Sequence, residues 1–356
     1  MKKLFVIILL SFTFLLVLSS CKKKTYEIAL VTDVGNIDDK SFNEGSWNGV
    51  KQYAEANNVS YAYYRPSEDS TVARVETIKS SIDKGAKIVV CPGYLFEEAV
   101  YEVQNTYPEV AFLLLDGEPH TPDYKTYKTE KNVHNILYKE EQAGYLAGYA
   151  AVKEGYKKLG YIGGIDVPAV IRFGYGYVLG ADAAALELNL SDVIIKYNYA
   201  GGFVPTDDLK TKMDGWYSSG TEVVFACGGA IYINVTKAAE QTNKKVIGVD
   251  SDQAAVSNSV ITSATKNLTQ SVKLALDSFF KNGKAWDAAH SGKTATLGAA
   301  EDCVGLPTTT GSWRFTKYTV TEYNTLFAKL KNGTLVVPNQ ITAHPTTVKV
   351  TVDWAA

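Results

Sequence analysis

Short, continuous runs of Val, Ile and Leu alternate with helix-period segments along most of the chain, and this alternation limits what it can fold into. A strand that is apolar at every position must be covered on both faces, and helices between successive strands supply that cover. The pattern predicts strands over 27–32, 60–64, 86–90 and 110–115, separated by helices over 42–57, 71–84 and 95–107. Trp47, Val50 and Tyr53 fall on one side of the first helix. After about residue 132 the rhythm restarts. Helices over 139–153, 170–188, 207–218 and 232–241 alternate with strands over 158–162, 193–198, 222–226 and 245–249, and a further apolar run spans 261–266.

The expected fold is therefore α/β, with two doubly wound parallel-sheet lobes around a central ligand cleft. A chain of 356 residues also exceeds what one hydrophobic core usually organises. The expected lobes are 21–131 plus about 251–266, and about 132–250 plus about 267–356. The tail after Gly292 is less regular than the rest.

The first twenty residues read as a targeting segment. Lys2 and Lys3 precede an apolar run over 4–18, then small residues, then Cys21. That is signal-peptide length and too short for a comfortable membrane span. Leu18-Ser19-Ser20-Cys21 resembles a lipobox, so 1–20 is expected to be a lipoprotein signal peptide and Cys21 the lipidated residue. Ordinary secretion or an uncleaved anchor is the alternative. The expected location is the cell membrane, lipid-anchored, facing the periplasm or the cell exterior.

Charge excludes one class of partner. The chain carries 36 basic and 38 acidic side chains, so no basic field points to nucleic acid. Besides Cys21 there remain Cys91, Cys227 and Cys303, an odd number that argues against a disulfide framework. The four His are scattered; neither a metal nor a cofactor is expected.

The polar residues with chemical potential share one location, after the ends of the expected parallel strands. Asp33 opens Asp33-Val34-Gly35-Asn36-Ile37-Asp38-Asp39-Lys40-Ser41-Phe42-Asn43, where it either shapes a turn or meets a ligand. Asp38 and Ser41 read as turn and cap residues. Phe42 either enters the core or offers a flat face to a ring. Asp116 ends another strand, and Gly202-Phe203 places an aromatic residue in a flexible loop. Gly228 permits close approach of backbone N–H groups. Asp250 and Lys266 end two further strands; a carboxylate can hold vicinal hydroxyls, and an ammonium beside it offsets the cost of desolvation.

Together these segments, with Trp47, Ile162-Gly163-Gly164, Arg172-Phe173, Gly176 and the run 248–253, resemble the basic membrane protein family of lipoproteins, whose members include purine nucleoside receptors. The resemblance extends to about residue 340. It implies a type I periplasmic-binding-protein fold serving an ABC transporter. A base would lie between Phe42 and Phe203 and be read by Asp116, with ribose contacts from Asp33, Asn43, Asp250 and Lys266. The chain departs from the family pattern at Asn36, where glycine is common, and after Cys227.

The expected function is thus a lipid-anchored, monomeric receptor that passes a nucleoside to an ABC permease. Alternatives are a surface adhesin for host proteins, or a receptor for another small polar ligand such as a sugar. No nucleophile–base pair or phosphate loop suggests an enzyme. A repressor with the same lobes would need a DNA-binding headpiece where the signal-like segment stands.

Overall fold

The computed structural model describes residues 25–356, so the signal-like segment and Cys21 lie outside the described residues. The first set of elements is β1 (Ile28–Val31), α1 (Phe42–Asn57), β2 (Tyr61–Tyr64), α2 (Thr71–Asp83), β3 (Ile88–Pro92), α3 (Glu97–Val103), β4 (Ala111–Leu115) and β5 (Val133–Tyr138). The second is α4 (Glu140–Glu154), β6 (Lys158–Gly163), α5 (Pro168–Glu187), β7 (Val193–Tyr199), α6 (Asp207–Ser218), β8 (Val223–Cys227), α7 (Tyr232–Thr242), β9 (Lys245–Asp250) and β10 (Val260–Lys266). The chain then returns for α8 (Leu268–Lys281) and β11 (Lys293–Leu297), and ends with β12 (Val304–Gly305), α9 (Val320–Lys331) and β13 (Val350–Asp353).

These strands form two sheets. The order is β11-β5-β4-β3-β1-β2 in one and β12-β10-β9-β8-β6-β7-β13 in the other. All pairings are parallel except that of β12 with β10. Stripped of its last additions, each sheet has the same doubly wound order, second strand, first, third, fourth, fifth. The central strands β1, β3, β4 and β8 are buried at every position, as their unbroken apolar runs require. Helices α1 and α8 cover one face of the first sheet, α2 and α3 the other; α4 with α5 and α6 with α7 do the same for the second.

The lobe boundaries differ from those expected. Strand β10 pairs with β9, so 260–266 belongs to the second sheet rather than the first. Helix α8 packs on α1, and β11 pairs with β5, so 268–297 belongs with the first lobe. The apolar run in β10 carries no label for which sheet it joins, and an edge pairing decides it. The chain consequently crosses between lobes three times, around Lys139, Asn267 and Gly298. Beyond Gly298 the tail is fixed by buried acceptors on earlier helices. Glu154 accepts from the backbone N–H groups of Thr316, Lys317 and Tyr318, and Asp182 from those of Val348, Lys349 and Val350.

Helices α4 and α5 approach until their backbones touch. Gly144 and Gly148 on α4 face the carbonyls of Phe173 and Tyr177; Gly176 and Gly180 on α5 face those of Glu141 and Tyr145. A Cβ at any of the four would run into the opposing backbone. Helix propensity favours alanine over glycine by about 1 kcal/mol, whereas overpacking costs about 1–3 kcal/mol. Gly148→Ala and Gly180→Ala are therefore expected to lower stability, read as the urea midpoint of unfolding. A higher midpoint would show that the two helices can separate without penalty.

Candidate functional site

In a doubly wound sheet the crevice opens where the strand order reverses, at the carboxyl ends of the first and third strands. Here those ends carry Asp33 and Gly93 in the first lobe, Gly163 and Gly228 in the second. Asp33, Gly93 and Gly228 line one cavity of about 350 Å³, within the range of small-molecule sites. Asp33, Phe42, Asn43, Asp116, Phe203, Gly228, Asp250 and Lys266, the residues singled out in the sequence, all line it.

The first-lobe wall is built from the loop before α1. Asp39 caps this helix, its Oδ1 accepting from the N–H groups of Ser41 and Glu44 and its Oδ2 from Asn43. Ser41, expected to cap, instead donates its hydroxyl to Asp250 Oδ2 at 2.7 Å, a bond between lobes. Asn43 Nδ2 donates to Asp33 Oδ1 at 2.7 Å, and that same oxygen accepts from Gly35 N–H. So Asp33 both shapes the turn and lines the cavity, with Oδ2 making no hydrogen bond among the described residues. Burial pushes its carboxyl up to about 6 against the pull of those bonds.

Asp116 and Asp250 end the fourth strands of the two sheets and adopt left-handed backbone, with φ of 58° and 62°. Side chains other than glycine rarely take that conformation, and it recurs where a site over-determines the local chain. Phe203 sits against Gly164 and Gly228, either of which would clash with its ring if it bore a Cβ, and against Gly229, where a Cβ would meet its backbone carbonyl. The ring also lies 6.4 Å from that of Tyr94 in the other lobe.

Lys266 is the centre of the site. Its ammonium, on a side chain only 2% exposed, pairs with Asp116 and lies 3.1 Å from Glu140 Oε1. The rings of Phe42, Tyr138 and Phe173 surround it at 5.1, 5.3 and 5.4 Å. Glu140 in turn accepts from Arg172 Nε at 2.5 Å. Burial alone would depress the lysine, but Asp116, Glu140 and Asp250 hold it above its ordinary value. Burial raises Asp116 to about 7, with Lys266 pulling it down and Glu140 pushing it up. Glu140 resists its own burial because Lys266 and Arg172 keep it below the usual carboxylate range.

Sequence reasoning did not select Glu140, Tyr94 or Tyr127 for the site, and Arg172 and Phe173 only as part of a family motif. Tyr94, Tyr127, Arg172 and Phe173 line the cavity, while Glu140 supports it from behind. Glu140 stands in the first turn of a helix, where an acidic residue is ordinary and carries no signal of its own. Cys91, Cys227 and Cys303 are buried free thiols. Among the described residues no group of three or more His, Cys, Asp or Glu could hold a metal ion, and no helix is long and apolar enough to cross a membrane.

Two matching sheets with a cleft between their strand ends define a two-lobed binding protein of the periplasmic type. Residues 26–340 match the family model described as Bmp, ABC transporter substrate-binding protein PnrA-like, and the chain belongs to that family. It is 30% identical over 249 residues to the ABC transporter nucleoside-binding protein BmpA of Lactococcus lactis subsp. cremoris (strain MG1363), covering 66% of this chain and 67% of the relative. It is 28% identical to basic membrane protein A of Borreliella afzelii, covering 88% of this chain and 91% of that one. In fold it is similar to an ABC transporter solute-binding protein from Aeropyrum pernix K1, with a TM-score of 0.72 at 21% identity, covering 88% and 94% of the two chains. The protein is thus the substrate-binding component of an ABC transporter rather than an enzyme, and its partners are a small-molecule ligand and the transporter permease.

Replacing Lys266 by Met would leave Asp116 and Glu140 buried without their shared cation, a change that typically costs about 3–5 kcal/mol. Asp116 would then titrate still further above its unfolded value near 4, and Glu140 would keep only Arg172 to hold it down, so the folded state would bind protons more tightly. Stability gained from that uptake is full at low pH and lost as pH rises through the folded values. Lys266→Met is accordingly expected to lose more stability at pH 8 than at pH 5 by urea unfolding. An equal loss at both would show that the ammonium does not compensate these carboxylates.

Proposed function

We propose that the protein captures nucleosides, with purines preferred, and delivers them to its permease. The observation that carries this reading is a single cleft with aromatic faces from opposite lobes, Phe42 and Phe203, above acidic acceptors and one buried lysine. A base has two π-faces to cover, and ribose has hydroxyl donors that ionised carboxylates accept. Asp33 Oδ2 and Asp116 Oδ1 are acceptors without a hydrogen-bond partner among the described residues, the latter fully buried. In this reading Asp116 meets the base, and Asp33, Asn43, Asp250 and Lys266 hold the sugar. Gly228 lets the second-lobe backbone come close. The name of the Lactococcus relative points the same way.

Bonds such as Ser41 to Asp250 and Gln253 Nε2 to the Lys40 carbonyl already join the lobes, so ligand contacts from both sides would favour the closed arrangement. We further propose a monomer on the extracytoplasmic face, held at the membrane by lipid on Cys21.

Isothermal titration of the mature protein tests the ligand class. Inosine, guanosine or adenosine is expected to bind at micromolar concentration or tighter, and ribose and glucose to give no heat. Phe42→Ala should weaken nucleoside binding about tenfold or more, since stacking on an aromatic face is worth about 1–3 kcal/mol. Binding of free sugars in place of nucleosides would overturn the assignment.

A further inference from the structure

One member of the ion network has no place in ligand contact. Glu140 has a fully buried side chain and does not line the cavity, yet it pairs with both cations of the site. Its place in the chain is specific. Glu140 is the first residue of α4, directly after the crossing at Lys139, and Lys266 is the last residue of β10, directly before the crossing at Asn267. Asp116, at the end of β4, belongs to the first lobe. Lys266 therefore stands at the hinge, drawn toward Asp116 on one side and toward Glu140 on the other.

The draw toward Glu140 has a geometric consequence for Asp116. Lys266 Nζ hydrogen-bonds Asp116 Oδ2, whereas Oδ1 is buried and has no hydrogen-bond partner among the described residues. An ammonium free of Glu140 could settle between both carboxylate oxygens and leave neither for a ligand. Arg172, bonded to Glu140 Oε2 from α5, fixes the carboxylate from behind through the tight α4–α5 interface.

We infer that Glu140 is a positioning residue for ligand capture: with Arg172 it holds the Lys266 ammonium between the lobes, so that Asp116 keeps one carboxylate oxygen for an N–H donor on the ligand. This rests on reading the cleft as a nucleoside site. The charged groups facing Asp116 are Lys266 from β10, Glu140 from α4, Asp250 from β9 and Arg172 from α5. Those facing Glu140 are Lys266 from β10, Arg172 from α5, Asp116 from the end of β4, Asp250 from β9 and, on its own helix terminus, Glu141. Asp116 titrates near neutrality partly because Glu140 is ionised beside it. An ionised Asp116 accepts from a ligand N–H more strongly than its protonated form, so affinity should fall as pH is lowered through its titration.

The test is inosine titration calorimetry on the mature protein between pH 5 and 8, because inosine carries a ring N–H donor. In the wild type, affinity should decline as pH falls below about 7. Glu140→Gln removes a like charge beside Asp116 and should move that midpoint down by roughly one pH unit. Arg172→Gln releases Glu140 to claim more of Lys266, and should move it up. Glu140→Asp keeps the charge and should restore the wild-type midpoint even where affinity drops. Affinity losses with all midpoints at the wild-type value would reduce Glu140 to a structural role and overturn the inference. If Glu140→Gln does not fold, Arg172→Gln decides alone, an upward shift supporting the inference and an unmoved midpoint overturning it. A wild type that binds no inosine across this range would remove the nucleoside reading, a different outcome from an unmoved midpoint, and this inference with it.

Discussion

The buried ammonium of Lys266 is the constraint around which the rest of the molecule is arranged. A lysine taken out of water must be met by anions held in good geometry, or it gives up its proton. Here Asp116 and Glu140 meet it directly and Asp250 stands close by, and they arrive from different elements: the end of β4, the start of α4 and the end of β9. Only a chain that brings both sheets together at their carboxyl ends can assemble that set. The rings of Phe42, Tyr138 and Phe173 complete the shell, so the same cation orders aromatic faces and acidic acceptors at once.

The two lobes solve their local problems in parallel ways. In each, the third strand runs into glycine with positive φ, Gly93 and Gly228, followed by a short 3-10 turn. In each, the fourth strand ends on a left-handed aspartate. What breaks the symmetry is the lining. The first lobe contributes the polar turn over 33–43, while the second contributes Phe203 on a bed of glycines. Such asymmetry suits a ligand with one flat apolar part and one part rich in hydroxyls. The glycine-mediated contact of α4 with α5 then carries order from the second lobe to the hinge, because it sets Arg172 against Glu140.

Much of this architecture was legible in the sequence because its signals are local. Buried parallel strands announce themselves as unbroken apolar runs, and a residue following such a run lies at the ligand edge by topology alone. That is why Asp33, Asp116, Asp250 and Lys266 could be gathered on one cleft without coordinates. Pairing partners were not legible. The run 260–266 looks the same whichever sheet it joins, and β5, whose sequence includes His134 and Asn135, is less uniformly apolar than its neighbours. The tail was opaque because Glu154 and Asp182 order it from more than 160 residues away, and neither leaves a trace in periodicity. Ser41 misled for a related reason. It occupies a capping position, but Asp39 supplies the cap and frees its hydroxyl for Asp250.

A structure of the protein crystallised with a purine nucleoside tests the central claim most directly. The account predicts the base between Phe42 and Phe203, a ligand N–H on Asp116 Oδ1, sugar hydroxyls on Asp33 and Asp250, and Lys266 still shared between Asp116 and Glu140. A nucleoside bound outside this cleft, or a Lys266 that abandons both carboxylates when the ligand enters, would contradict it.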